Sequence, residues 1–107
     1  GEHVYNRATG IPTAYIYSNH VNELGFPMSI VMSHELLEMI TNPRKESITI
    51  GGVKYMKEIC DPIGSSSYQI NTTEVSNFVY PAWFGVDTVA PFDHLGLLDE
   101  PLKYLNI

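Results

Sequence analysis

Between Pro27 and Thr41 one group of titratable residues, in Ser33-His34-Glu35-Leu36-Leu37-Glu38, interrupts an otherwise apolar run. On an α-helix, residues four apart share a face, so His34 and Glu38 project side by side with Glu35 in the same sector. At about 100° per residue, Val31, His34, Glu35 and Glu38 occupy roughly a third of the circumference. Met28, Ile30, Met32, Leu36, Leu37, Met39 and Ile40 cover most of the rest. A surface helix would carry Lys or Arg on its wet side beside a narrower apolar stripe. This run has neither, which predicts a mostly buried helix. Buried carboxylates without a cation are costly, so the run points to a divalent metal gripped by His34 and Glu38. The competing interpretation is the solvent strip of an ordinary amphipathic helix, and H-E-x-x-E alone does not separate the two. The apolar surroundings and the acidic residues Glu58 and Asp61 further along favour the metal.

The chain's 107 residues fit one domain, 1–107, with room for a real core. At 44% hydrophobic and 17% charged residues it reads as globular. A net charge of -6 with scattered Lys and Arg argues against nucleic acid as a partner. No apolar run approaches the roughly 18 residues of a membrane span, and no signal-peptide pattern opens the chain. The first residue is Gly rather than Met, which leaves open a natural N-terminus upstream. Cys60 stands alone, so no intrachain disulfide is possible and the compartment is undetermined. A small buried side chain in a strand is its expected role. Asn71-Thr72-Thr73 satisfies the glycosylation sequon, which matters only in a secreted eukaryotic setting.

In chain order, Gly1 to Gly10 shows no periodicity and Thr9-Gly10-Ile11-Pro12 reads as a turn. A strand is expected at Thr13–Tyr17 and a loop at 18–26. The helix then runs from near Pro27 to Thr41, where Pro43 disfavours helical backbone at Asn42. Ser47–Ile50 and Val53–Cys60 flank Gly51-Gly52, a hairpin signal with a primed turn. Glu58 and Asp61 fall at or just beyond the end of its second strand. Tyr68–Ile70 and Glu74–Tyr80 suggest a second hairpin, and 97–107 an apolar-anchored tail. The expected fold is α+β: one long, mostly buried metal-binding helix packed on a mainly antiparallel sheet of hairpins.

His34-Glu35-Leu36-Leu37-Glu38, followed after nineteen residues by Glu58, resembles the zincin metallopeptidases and their gluzincin branch in particular. There a helix carries H-E-x-x-H and a later Glu supplies the third ligand. The resemblance covers the central third of the chain. It departs at Glu38, which stands where the second His would be, and at Glu58, which falls on an expected strand rather than a helix. More broadly, the blocks Ser33–Met39, Glu58–Pro62, Val75–Phe78 and Pro81–Phe84 resemble small uncharacterised bacterial and phage-associated proteins. The zincin resemblance implies that His34 and Glu38 bind the metal, with Glu58 or Asp61 completing the shell. It implies that Glu35 is the general base of peptide-bond hydrolysis. A His, Glu, Glu shell leaves a divalent ion formally neutral, so bound water is less acidified than with two His and one Glu. Zinc is the leading ion, with Mn or Ca favoured by the oxygen-rich donors.

His94, after Asp93 in a loop, is the next candidate ligand; His3 and His20 carry weaker claims. Nothing in the spacing pairs Cys60 with His94 as a nucleophile and base. Two functions of different class follow. One is a small metal-dependent hydrolase with a peptide or protein substrate. The other is a non-catalytic, metal-stabilised module that assembles with other protein chains, such as a component of a phage-like particle.

Overall fold

The computed structural model describes residues 1–25, 27–85 and 88–102. Phe26 of the expected 18–26 loop and residues 103–107 of the expected tail lie outside them. Strands β1 (Glu2–Asn6) and β2 (Ile11–Tyr15) form a first antiparallel hairpin. Helices α1 (Ser18–Leu24) and α2 (Met28–Thr41) follow. A second hairpin joins β3 (Ser47–Ile50) to β4 (Val53–Met56), and a third joins β5 (Ser67–Ile70) to β6 (Thr73–Ser76). Short 3-10 turns lie at Asp61–Ile63 and Pro81–Phe84. No helix among the described residues is long and apolar enough to cross a membrane.

The turn chemistry accounts for the hairpins. Ile50 pairs with Val53 around Gly51 and Gly52, whose φ values of 57° and 81° form the left-handed pair a primed turn needs. In the first hairpin the Asn6 side chain accepts from the amides of Ala8 and Thr9, an Asx arrangement that turns the chain towards β2. Expected boundaries shift by a few residues: β2 starts at Ile11, β4 ends at Met56, and β6 ends at Ser76. Cys60 is buried in a turn rather than a strand. The connection read as a loop contains α1, which buries Val21 and stops at Gly25 in the left-handed conformation.

The class α+β holds, but the expected architecture of one long buried helix on a sheet does not. The described strands form three separate two-stranded hairpins with no common sheet. Helix α2 buries Glu35 and Glu38, whereas Met32, Leu36 and Ile40 are 55%, 49% and 66% exposed. The helix is inverted relative to the expectation that its apolar majority faces inward. The apolar core lies elsewhere, around Val79, Trp83, Phe92 and Leu102, with Ile59 and Ile63 packed against it. Helix α2 packs against β6, β2, β1 and α1.

The segment linking this core to the site is tied by a buried polar knot. Asp93, fully buried, accepts from the Asn77 amide at 2.8 Å and from the Leu98 backbone N–H at 2.9 Å. Burial is the largest influence and pushes its carboxyl up, but these hydrogen bonds outweigh it and hold the group below the usual carboxylate range. In Asp93→Asn one amide can accept at only one of the two positions, leaving a donor facing a donor. The variant should lose about 3 kcal/mol of stability at neutral pH in denaturant titrations. The depressed carboxyl stabilises the fold above its unfolded value of about 4 and ceases to do so as pH falls through the folded value. The gap between wild type and variant should therefore narrow in acid.

Candidate metal centre

Three elements converge on one face of α2, from its middle towards its C-terminal half. The helix supplies His34, Glu35 and Glu38. The segment between β4 and the turn at Asp61–Ile63 supplies Glu58 and Asp61, and β1 supplies His3. Together they line a cavity of about 410 Å³. The 58–61 segment is fixed on both sides. Ile59 offers its carbonyl to the Val79 amide at 2.8 Å on the core side, and the Cys60 amide donates to Glu38 Oε2 at 3.3 Å on the site side. Asn42 fixes the end of α2: its side-chain amide donates to the carbonyls of Glu46 and Lys57 and accepts from the Glu46 amide.

His34 Nε2 faces Asp61 Oδ1 at 2.8 Å and Glu38 Oε1 at 3.0 Å. Burial of the ring opposes its charged form, but the hydrogen bonds to Asp61 and Glu38 prevail and raise the imidazole to about 10. The same His34 contact lowers the Asp61 carboxyl. One nitrogen and two carboxylate oxygens clustered this closely are what a divalent ion collects, at about 2.0–2.2 Å from each ligand after a slight outward adjustment. Of the two expected third ligands, Asp61 joins His34 and Glu38, and Glu58 does not.

Glu58 stands deeper. It is 7% exposed, and neither carboxylate oxygen has a hydrogen-bond partner among the described residues. Burial first, then the charges of Glu38 and Asp61, push its carboxyl up to about 7. Glu35 is also buried, and its carboxyl is raised by burial and by Glu38. It is not one of the two carboxylates that face His34 Nε2, which leaves it beside that cluster rather than in it.

His3 is the residue that sequence reasoning underrated. It is 2% exposed, and its Nε2–H donates to the Asn42 carbonyl at 3.0 Å. A carbonyl has no proton to give, so Nε2 carries the proton in this bond, and Nδ1 is the nitrogen that a neutral ring can offer as a ligand. Nδ1 lies 3.9 Å from Glu35 Oε2. Donation from the other ring nitrogen to a backbone carbonyl is the usual outer support of a metal-binding His. No local signal marks His3, because its inward direction comes from the pairing of β1 with β2, which sets it opposite Ala14.

The other candidates are occupied elsewhere. His94 is exposed, stacks on Phe78 at 5.0 Å between centroids and shares a hydrogen bond between its Nδ1 and the Tyr80 hydroxyl at 2.8 Å. His20 is exposed on α1. Cys60 has no exposed surface, and burial pushes its thiol up to about 12, so it is no nucleophile.

No family model, curated protein or solved structure matches this chain.

Proposed function

We propose that the chain is a small metal-dependent hydrolase that cleaves peptide bonds, with zinc as the leading ion and Mn or Ca as alternatives. The observation that carries this reading is the convergence of His34 Nε2, Glu38 Oε1 and Asp61 Oδ1 within hydrogen-bonding distance, with a buried Glu35 next to them on the same helix. The donor set fits a divalent cation. It is rich in carboxylates, buried at Glu38 and open to solvent at Asp61, and accompanied by a buried Glu58 without a partner among the described residues. A bound ion would polarise the scissile carbonyl and acidify the attacking water. Glu35 accepts a proton from that water, and its burial raises its basicity towards that of a working general base. The same carboxyl then delivers the proton to the departing amine as the carbon–nitrogen bond breaks. His34, Glu38 and Asp61 hold position, with Cys60 N–H and the core-anchored 58–61 segment keeping Glu38 and Asp61 in register.

A second reading, a metal-stabilised module that assembles with other chains, is supported by Met32, Leu36 and Ile40. These residues recur every four positions along α2, in a stripe offset from Glu35 and Glu38, and are left exposed. Elemental analysis of protein purified without chelators, followed by assay on a broad peptide library, separates the two. Bound metal with cleavage that chelation abolishes is the expected result. Metal with no cleavage, and a melting temperature that falls on chelation, would favour the assembly module, since an ion bound only to the native state stabilises it by mass action. Protein that takes up no metal from metal-replete solution would sink both.

A further inference from the structure

Two groups of potential ligands meet in the cavity and share one residue. His34, Glu38 and Asp61 form the first, and His3, Glu35 and Glu38 the second, with the ligand atoms of each group within 4.8 Å of one another. Glu38 is the only member of both, and its two oxygens have different neighbours: Oε1 faces His34, and Oε2 receives the Cys60 amide. Beside the second group lies Glu58, more than nine-tenths buried and unpartnered among the described residues, with Oε1 4.0 Å from the His3 ring.

Charge bookkeeping bears on how many cations such a cavity holds. Glu2, Glu35, Glu38, Glu58 and Asp61 bring five carboxylates to the lining of this cavity, against the Lys45 side chain and the Gly1 amino group, which lies 4.0 Å from Glu35 Oε1. With both imidazoles neutral as ligands these groups sum to a formal charge of -3, so one divalent ion leaves a negative surplus for a further cation to meet. His3 is preset for that second ion. Its Nε2 proton is committed to Asn42, and its Nδ1 faces Glu35 Oε2 at 3.9 Å, the atom a neutral ring would offer to an ion.

We propose that the cavity is a two-cation centre in which Glu38 bridges, His34 and Asp61 hold one divalent ion, and His3 and Glu35 hold the other with Glu58 at its side. This rests on the metal reading of the His34 end and adds a second pole to it. Paired ions with a shared carboxylate sit about 3.5–4 Å apart in two-metal sites, a spacing that adjoining ligand groups with a common Glu allow. Ligation of the second ion occupies Glu35, so that carboxylate serves as proton acceptor in the one-ion form only.

The test is a titration of chelator-stripped full chain with Mn²⁺, followed by calorimetry and electron paramagnetic resonance. The expected result is about two ions per chain, the second bringing an exchange-coupled spectrum in place of the isolated six-line signal. In His3→Gln the amide can still donate to the Asn42 carbonyl but offers no imidazole nitrogen. The variant should bind one ion and keep the isolated signal, and Glu35→Gln should do the same. A wild type that saturates at one uncoupled ion would overturn the second pole and leave the His34 end standing. Uptake of no ion at all would overturn both. The wild-type spectrum decides the matter even if a variant fails to fold.

Discussion

Glu35→Gln is expected to keep the fold and the ion held by His34, Glu38 and Asp61, and to lower peptide-bond hydrolysis by about 10²–10⁴-fold, the usual loss when a general base is removed. The variant keeps the shape of the side chain, which is 4% exposed, but removes its capacity to accept a proton. Its effect on stability should be small, because among the described residues the wild-type carboxylate makes no hydrogen bond, with the His3 ring at 3.9 Å and the Gly1 amino group at 4.0 Å. Under single-turnover conditions the loss should fall on the chemical step, with KM little changed. A variant that cleaves as fast as wild type would remove Glu35 from the mechanism. Equal loss of metal from the His34 end and of activity would make Glu35 a structural support instead.

Asp61→Asn and Glu58→Gln should have unequal consequences, although both residues come from one short segment. Asp61 Oδ1 lies 2.8 Å from His34 Nε2, in the ligand group of the helix. Its replacement should weaken binding of the first ion by at least about 10²-fold, since loss of an outer-shell partner alone costs 10–100-fold. The side chain of Asp61 is 61% exposed, so the change should hardly disturb packing. Glu58→Gln removes a buried carboxylate that has no hydrogen-bond partner among the described residues, and affinity for the first ion should stay within a few-fold of wild type. The change also relieves repulsion from Glu38 and Asp61, so the metal-free variant should be at least as stable as metal-free wild type. Calorimetric titration of both variants measures the contrast. Equal losses would merge the two carboxylates into one shell, and the reverse order would make Glu58 the third ligand.

The inversion of α2 shows where sequence reasoning stops. Helical spacing correctly grouped His34, Glu35 and Glu38 on one face, because the angular relation among them is a property of the backbone. The inference that the apolar majority must be inside failed, because a helical wheel gives angles about an axis and not the direction of the interior. In the folded chain Val79, Trp83, Phe92 and Leu102 supply the core, and α2 turns towards partners that can satisfy its charged side. Asp61 could be named as an acidic residue downstream of the hairpin, although β4 ends at Met56 and Asp61 opens a 3-10 turn rather than closing the strand. His3 could not, since a five-residue strand carries little pattern and the residue is aimed at the site only through the pairing of β1 with β2.

By itself the sequence determined the local features: the span of α2, the turn at Gly51 and Gly52, and the i, i+4 placement of His34 and Glu38. These depend on backbone geometry over a few residues. Only the tertiary structure decided which face of α2 is buried, which carboxylate joins His34, and that a histidine 31 positions earlier in the chain shares the cavity. Those outcomes are set by long-range contacts whose energies come from partners brought together in the fold, and no local pattern encodes them.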